Sequence, residues 1–521
     1  MTTSPPEDID LKLALPPEQA VAFLKRMARR RSEPVRPSGY RHLEGHRQQD
    51  LVTRYFDTPD FALSAQGVAL RVRRAGRRWL QTLKTEGERA GGLSRRVEFE
   101  MPVSQGTPDW TRFPSEALAY VPDVLREQLV PVFETRFQRT TWLLKGRGGA
   151  QIEVALDVGE VIAGERTQPI CEIELELKAG QPDALFALAL EWAGEFDCLP
   201  FDVSKAERGV RLAHGIEAAP VKSVPLALDD GMGVEEGFAA IVRSCLAQFQ
   251  ANLPGVRESG DIEYVHQARV ALRRLRAALR LFGKTCVLPP GLLDGLRVLV
   301  AALGPARDWD VLCSETLPAI APYYPDAATW QRGMRALERQ HGGVRAAMQD
   351  TLALAQPGAW LLAMQRWLLQ HGWRVDPAGG TLPEAQRFDQ LAPLDAWVRR
   401  VLQKGHRPVI RGARDFATLS PAGCHTLRIA IKRQRYTAEF FQTLFKGKRQ
   451  ARYLAVLRDA QDSLGRANDA HVAAGLLMEA PAGTGPMRDF ALGWLAAKQA
   501  EVASGESAGL MRAFLELKPY W

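Results

Sequence analysis

With 521 residues, 25% of them charged and 46% hydrophobic, the chain has the balance of a globular protein and length for roughly two to four domains. Its formal net charge of +8 favours an anionic partner, without choosing among nucleic acid, polyphosphate, acidic lipid and small phosphorylated metabolites. Six scattered cysteines with no CxxC pair suggest neither a zinc knuckle nor a disulfide scaffold and fit a reducing compartment. The opening MTTSPPEDIDLKLAL lacks a basic stretch before an apolar run, and no clean apolar stretch of ~20 residues follows, so neither a secretory signal nor a membrane span is expected and the expected location is cytoplasmic.

Up to about residue 215, short strand-like runs alternate with helical ones. Within the strands, charge alternates with apolar character. Asp8, Asp10 and Lys12 share one face, with Ile9, Leu11 and Leu13 on the other. Arg71 and Arg73 point the same way, and Arg96, Glu98 and Glu100 lie together. Glu153 and Asp157 share a face, and so do Glu172, Glu174, Glu176 and Lys178. For any one strand, a charged solvent face gives the same pattern. As a set, like charges at alternate positions repel unless something neutralises them. A divalent metal would do so for the carboxylates, and a triphosphate for the arginines and lysines. The expected product is an antiparallel barrel with a polar interior of both signs, which suits a ligand tunnel better than a packed core.

Residues 8 to about 210 resemble the CYTH superfamily, the triphosphate tunnel metalloenzymes. The resemblance rests on Asp8-x-Asp10-x-Lys12 in the place of ExExK, on RYFDTPDFALSAQGVALRVRR from Arg54, and on EIELELK from Glu172. It implies an α+β domain built as an eight-stranded antiparallel β-barrel tunnel. It further implies phosphate binding by Arg54, Arg71, Arg73, Lys84, Arg136 and Arg139. Mg²⁺ or Mn²⁺ would have its ligands among Asp8, Asp10, Glu98, Glu100, Glu153, Asp157, Glu172, Glu174 and Glu176. Catalytic roles fall to Asp8, Asp10, Lys12, Glu172, Glu174 and Lys205, the last in SKAERG. The implied reaction is hydrolysis of inorganic triphosphate, with an organic triphosphate such as thiamine triphosphate as the alternative. Aspartate for glutamate sets each opening carboxylate one methylene farther from a ligand, and a displacement of about 1 Å can cost about a hundredfold. A barrel that keeps a ligand site without efficient chemistry is therefore the other alternative. No GxxxxGK[ST] loop is present.

The stretch 216–233, rich in Pro, Gly and small residues, reads as a linker between a domain over 1–215 and a second over 234–515. From Val234 the pattern is long helices, including the final tract from Pro486. HQARVALRRLRAALRLF from His266 repeats as HTLRIAIKRQRYTAEFF from His425, and LGPARDWDV from Leu303 repeats as LGRANDAHV from Leu464. In the first copy Val265, Ala268, Leu272, Leu275, Leu279 and Phe282 form an apolar stripe. Beside it runs a basic stripe of His266, Arg269, Arg273, Arg276 and Arg280, with Arg274 on the flank. His425, Arg428, Lys432 and Arg435, flanked by Arg433, repeat it. Like charges stacked at helical spacing are mildly destabilising alone, and a polyanion would relieve them. The four segments resemble the repeated motifs of the CHAD domain, the conserved histidine alpha-helical domain. That implies an all-α helical bundle with internal duplication, a basic surface binding inorganic polyphosphate, and an association with polyphosphate granules. Nucleic acid is disfavoured, since no recognition motif is present and the tryptophans do not interleave with the basic stripes.

Overall fold

The computed structural model describes residues 7–28, 39–43, 45–376, 382–481, 483–502 and 506–521. It divides into two compact units, Met1–Ala219 with Gln356–Gln370, and Pro220–Ala355 with His371–Trp521.

The first unit is built on eight strands: β1 (Glu7–Ala14), β2 (Arg47–Asp57), β3 (Val68–Ala75), β4 (Arg78–Thr85), β5 (Leu93–Val103), β6 (Val130–Lys145), β7 (Gln151–Ala163) and β8 (Arg166–Ala179). They pair antiparallel in the order β1-β8-β7-β6-β2-β3-β4-β5, and β5 returns to β1, which closes the barrel and leaves these strands no free edge. Register carries the charge pattern inward. Asp8 lies opposite Arg96, Lys12 opposite Glu174, Glu172 opposite Asp157, Asp157 opposite Arg139, and Lys84 opposite Glu98. Opposed residues share a face, so one period-two pattern repeated over the strands lines one interior.

The apolar alternates face outward under helices. Leu11, Leu13, Ile152, Val154, Leu156, Ile173 and Leu175 are fully or almost fully buried against Phe23, Trp192 and Phe196 of flanking helices. The helix Pro357–Leu369 belongs to this unit although it lies within the span expected for the helical domain, 234–515. Its Leu362 sits in the barrel's outer core, its Arg366 pairs with Asp183 at 2.6 Å, and Gly358 packs so closely on the Cys198 carbonyl that a Cβ there would collide. A 13-residue apolar helix reads alike in either context, so the sequence does not reveal which core it joins.

At one end of the barrel the interior turns apolar, with Leu51, Phe133, Phe137, Val161 and Ile170. There the helix Lys205–Ala213 packs through Ala206 and Val210. Ser204 caps it by accepting from Glu207 N at 3.1 Å. Gly209 meets the Phe133 ring, which a Cβ would overlap at 2.0 Å, so this approach requires glycine.

The second unit is helical and repeats one order of elements. Val234–Glu258, Ile262–Phe282 and Pro290–Val311 come first, and Leu394–Arg414, Pro421–Phe440 and Lys448–Met478 follow in the same sequence. The basic helices are the middle ones, capped by Asp261 and Ser420. The apolar stripe faces inward, with Val265, Ala268, Leu272, Leu275 and Phe282 buried and Leu279 half-buried. Gln434 replaces Leu275 in the second copy. Its side chain is buried, donates to Leu402 O and Tyr453 Oη, and fills space left by Gly405. The final tract forms Gly485–Val502 and Glu506–Leu515, and residues 503–505 of it lie outside the described residues. Among the described residues no helix is long and apolar enough to cross a membrane.

Candidate functional site

The barrel interior encloses a cavity of about 630 Å³ lined by charged side chains of both signs. Two ionic groups organise it.

In the first, Asp157, Glu172 and Glu174 bring carboxylate oxygens within 4.8 Å of one another. Lys205 enters from the seated helix, its Nζ 2.6 Å from Asp157 Oδ2, 3.0 Å from Glu174 Oε1 and in direct contact with Glu172. Arg139 grips Asp157 through two hydrogen bonds of 2.7 and 2.6 Å and also donates to Glu174. Lys12 stands 3.5 Å from Glu174, and Arg208 is 3.3 Å from Glu172. Burial opposes charge here, yet Lys205, Arg139 and Lys12 outweigh it and hold Glu174 well below the usual carboxylate range. Asp157 is likewise lowered, burial being outweighed by Arg139 and Lys205. In turn burial is outweighed at Lys205 by Asp157, Glu172 and Glu174, which keep it protonated.

In the second group Lys84 lies 3.1 Å from Asp8 and touches Glu98, Arg96 donates to Asp10 at 2.7 Å, and Arg71 is 3.6 Å from Glu98. Arg71, Arg73, Lys84 and Arg96 stand here among Asp8, Asp10, Glu98 and Glu100. Burial and the neighbouring Arg71 and Arg139 push Arg73 down to about 10, and no ion pair holds it among the described residues. Burial, then Arg96 and Arg71, lower Lys84 as well. Arg71 Nε, Arg73 Nε and Arg96 Nε are buried donors without a hydrogen-bond partner, a state that an anion in the cavity would end.

The acidic side has its own imbalance at a corner formed by Asp8, Asp10, Glu153 and Glu176. Glu176 faces Asp10 on β1 and Glu153 on β7. Burial raises its pKa, with Asp8 and Glu153 adding to the effect against Lys178. Asp10 Oδ1 is buried and has no partner. Excess carboxylate oxygen fits a hard divalent cation, whereas the trio around Lys205 already holds an ammonium.

Two of the arginines implied as phosphate ligands lie elsewhere. Arg54 and Arg136 are more than half exposed on the outer surface, where both pair with Glu134. Strand parity is the reason: Thr53 and Tyr55 oppose Arg73 and Arg71, so Arg54 opposes Val72 and points out. Phe137 and Arg139 face in, so Arg136 does not. Glu100 lines the cavity and accepts from Thr82 Oγ1 at 3.1 Å. Arg96, Arg208 and Tyr55 join the site without being among the site residues expected from the sequence. The parity of Arg96 with Glu98 and Glu100 was a usable signal, and that of Tyr55 with Thr53 and Leu51 another. Arg208 had none.

In the helical unit the two basic helices come together. Lys432 is lowered to about 8 by burial and then by Arg273, Arg428, Arg269 and Arg435, so cations of both copies share one field. Arg273 Nε donates to Tyr436 Oη at 3.1 Å, and Arg269 lies 3.8 Å from Asp308. Burial and then Arg307 lower His266. His425, Arg276, Arg280 and Arg433 are exposed, and Arg435 is tied to Glu439 and Gln461. Arg274 departs from the group: it is buried, donates to Gln248 Oε1 at 3.0 Å and lies over the Phe440 ring. One residue beyond Arg273 is a 100° turn of the helix, which carries it to the packed side.

A closed polar barrel with facing acidic and basic walls, followed by a duplicated helical unit with paired basic helices, defines the class of protein. Residues 40–210 match the CYTH domain and residues 240–478 the CHAD domain, so the chain belongs to the proteins that carry a CYTH domain followed by a CHAD domain. It is 35% identical over 207 residues to an inorganic triphosphatase of Haemophilus influenzae, covering 40% of this chain and 55% of that protein. The chain thus matches about half the length of this relative. An uncharacterized protein of Mycobacterium tuberculosis is 28% identical over 415 residues, 75% of either chain. The crystal structure of the CHAD domain from the plant Ricinus communis superposes with a TM-score of 0.50 at 33% identity, covering 58% of this chain and 99% of that one.

Proposed function

We propose that the barrel hydrolyses inorganic triphosphate to pyrophosphate and phosphate with a divalent metal, Mg²⁺ or Mn²⁺, and that the helical unit binds inorganic polyphosphate. The observation that carries the first part is the set of buried, unpartnered donors on Arg71, Arg73 and Arg96, facing a carboxylate-rich corner across one cavity. Tyr55 is the one aromatic among the described lining residues, and its ring is stacked on Phe133, so no free ring awaits a base or a thiamine. The chemistry of the lining supports a purely inorganic substrate.

Arg71, Arg73, Lys84 and Arg96 would hold the phosphate chain and neutralise charge developing on the leaving pyrophosphate. Asp10, Glu153 and Glu176 would hold the cation, with Glu174 beside them already paired to Lys205 and Arg139, and when bound the cation would supply positive charge to phosphate oxygens. A water oxygen bonds to the terminal phosphorus as the bridging P–O bond breaks, and a carboxylate of the acidic wall takes the proton. The Lys205 and Arg139 contacts fix Asp157 and Glu174 in their ionised forms, so the acidic wall keeps its charge at neutral pH.

The test is phosphate release from inorganic triphosphate with Mg²⁺, with Mn²⁺ and with excess chelator, alongside Glu174→Ala and Arg73→Met. Metal-dependent release of about one turnover per second or faster, reduced by both substitutions, is the expected result. Release no greater than with chelator would leave the barrel a binding module.

A further inference from the structure

Outside the paired basic helices, the helix Leu394–Arg414 carries a second cationic track. Arg400, Lys404, Arg407, Arg411 and Arg414 recur at steps of four and three, which sets them on one face over about 21 Å at 1.5 Å per residue. All five are exposed, and none pairs with a carboxylate among the described residues. The opposite face is locked in the core through Val398, Leu402, His406, Val409 and Ala413, so the track is presented on a rigid element. Arg407, Arg411 and Arg414 also line a cleft of about 570 Å³ with Gln403, His406, Ile410 and, at its end, Asp415, so three cations there face one carboxylate.

The fold does not require this charge. Val234–Glu258 occupies the same place in the first copy, immediately before its basic helix, and has only Arg243 and Arg257 as cations. Duplication kept the packing and not the charge. A surface that only has to be solvated mixes signs, because like charges at i,i+4 cost a few tenths of a kcal/mol per pair. Here five cations follow one another with no anion between them.

We infer that this face is a second binding track for a linear polyphosphate chain, separate from the paired basic helices. The inference rests on the proposed polyphosphate binding by this unit. The ligand class follows from the lining. The rings beside the track are engaged: Trp397 is buried, and half-buried Trp521 packs against His406 and donates to Gln403 Oε1 at 3.1 Å, which disfavours a stacking platform for nucleic-acid bases. The apolar residues flanking the cations are the small Ala396 and Pro408 and a half-buried Ile410, with polar Gln403 between them, too little apolar surface to enter a lipid layer.

The experiment measures binding of long-chain inorganic polyphosphate to the full chain over a range of salt concentrations. Wild type is compared with three variants: the triple substitution Arg407→Glu, Arg411→Glu and Arg414→Glu; the exposed control Arg332→Glu, Arg335→Glu and Arg339→Glu; and Arg273→Met with Lys432→Met. Thermal unfolding verifies that each is folded. The track variant is expected to lose at least about tenfold in affinity, and its salt slope is expected to fall by about two, at about 0.7 for each phosphate no longer neutralised. Its binding of inorganic triphosphate is expected to stay unchanged. Unchanged polyphosphate affinity in the track variant overturns the inference, and so does an equal loss in the control, which would mean net charge alone. Unchanged affinity in the Arg273/Lys432 variant would instead sink the reading of the paired helices. Absence of wild-type binding overturns both, and equal or tighter binding of a single-stranded oligonucleotide of matched charge would assign the track to nucleic acid.

Discussion

Lys205 Nζ lies 2.6 Å from Asp157 Oδ2, and both side chains are buried. The ammonium stands among three carboxylates that would otherwise repel one another, so the helix Lys205–Ala213 is joined electrostatically to the strands it packs on. Removing one partner of such a buried group costs more than the pair contributes, because the remaining charges stay buried without compensation.

Lys205→Met should therefore lower stability by about 3–5 kcal/mol, measured by denaturant unfolding in chelator. Exposed Lys178, paired with Glu176, is the comparison, and Lys178→Met should change stability by less than about 1 kcal/mol. Equal effects would show that the buried contacts carry no special weight.

Acid should expose the same group. Asp157 and Glu174 have folded pKa values below their unfolded values of about 4, so their stabilisation is complete above that pH and is lost as pH falls through the folded values. Arg139→Met removes a main source of the depression and should move the acid unfolding midpoint upward. A midpoint that stays in place would contradict the assignment.

Parity separates the arginines. Arg73→Met should lower kcat/KM for inorganic triphosphate by about 10- to 100-fold, the loss of one charge-assisted contact of about 1.5–3 kcal/mol. Arg54→Met and Arg136→Met, on the outer surface, should change it by less than about twofold. A large effect at Arg54 would mean that the substrate meets the outside of β2.

Polyphosphate binding should weaken as pH rises through about 8, where Lys432 loses its proton. A bound polyanion raises that pKa again, so binding at pH 8–9 should take up protons, detectable as a buffer-dependent heat. Affinity should fall by up to about tenfold between pH 7 and 9.5, one charge-assisted contact at the low end of its range. Lys432→Arg should flatten the profile in that window.

The sequence by itself determined the two-part organisation, the barrel's polar interior and the duplicated basic helices. Each is written in local periodicity: two along a strand, as in Glu172, Glu174 and Glu176, and 3.6 along a helix, as in Arg269, Arg273 and Arg276. Parity was also available for Arg54 and Arg136, where motif resemblance led the other way. Only the tertiary structure decided which charges meet. The placement of Lys205 among Asp157, Glu172 and Glu174 depends on how a helix after β8 seats in the barrel end. The burial of Arg274 beside Gln248 depends on a neighbouring helix, and the docking of Pro357–Leu369 in the first unit depends on which apolar core it completes. These are contacts between residues distant in the chain, set by packing and desolvation across elements, and no periodicity within one element encodes them.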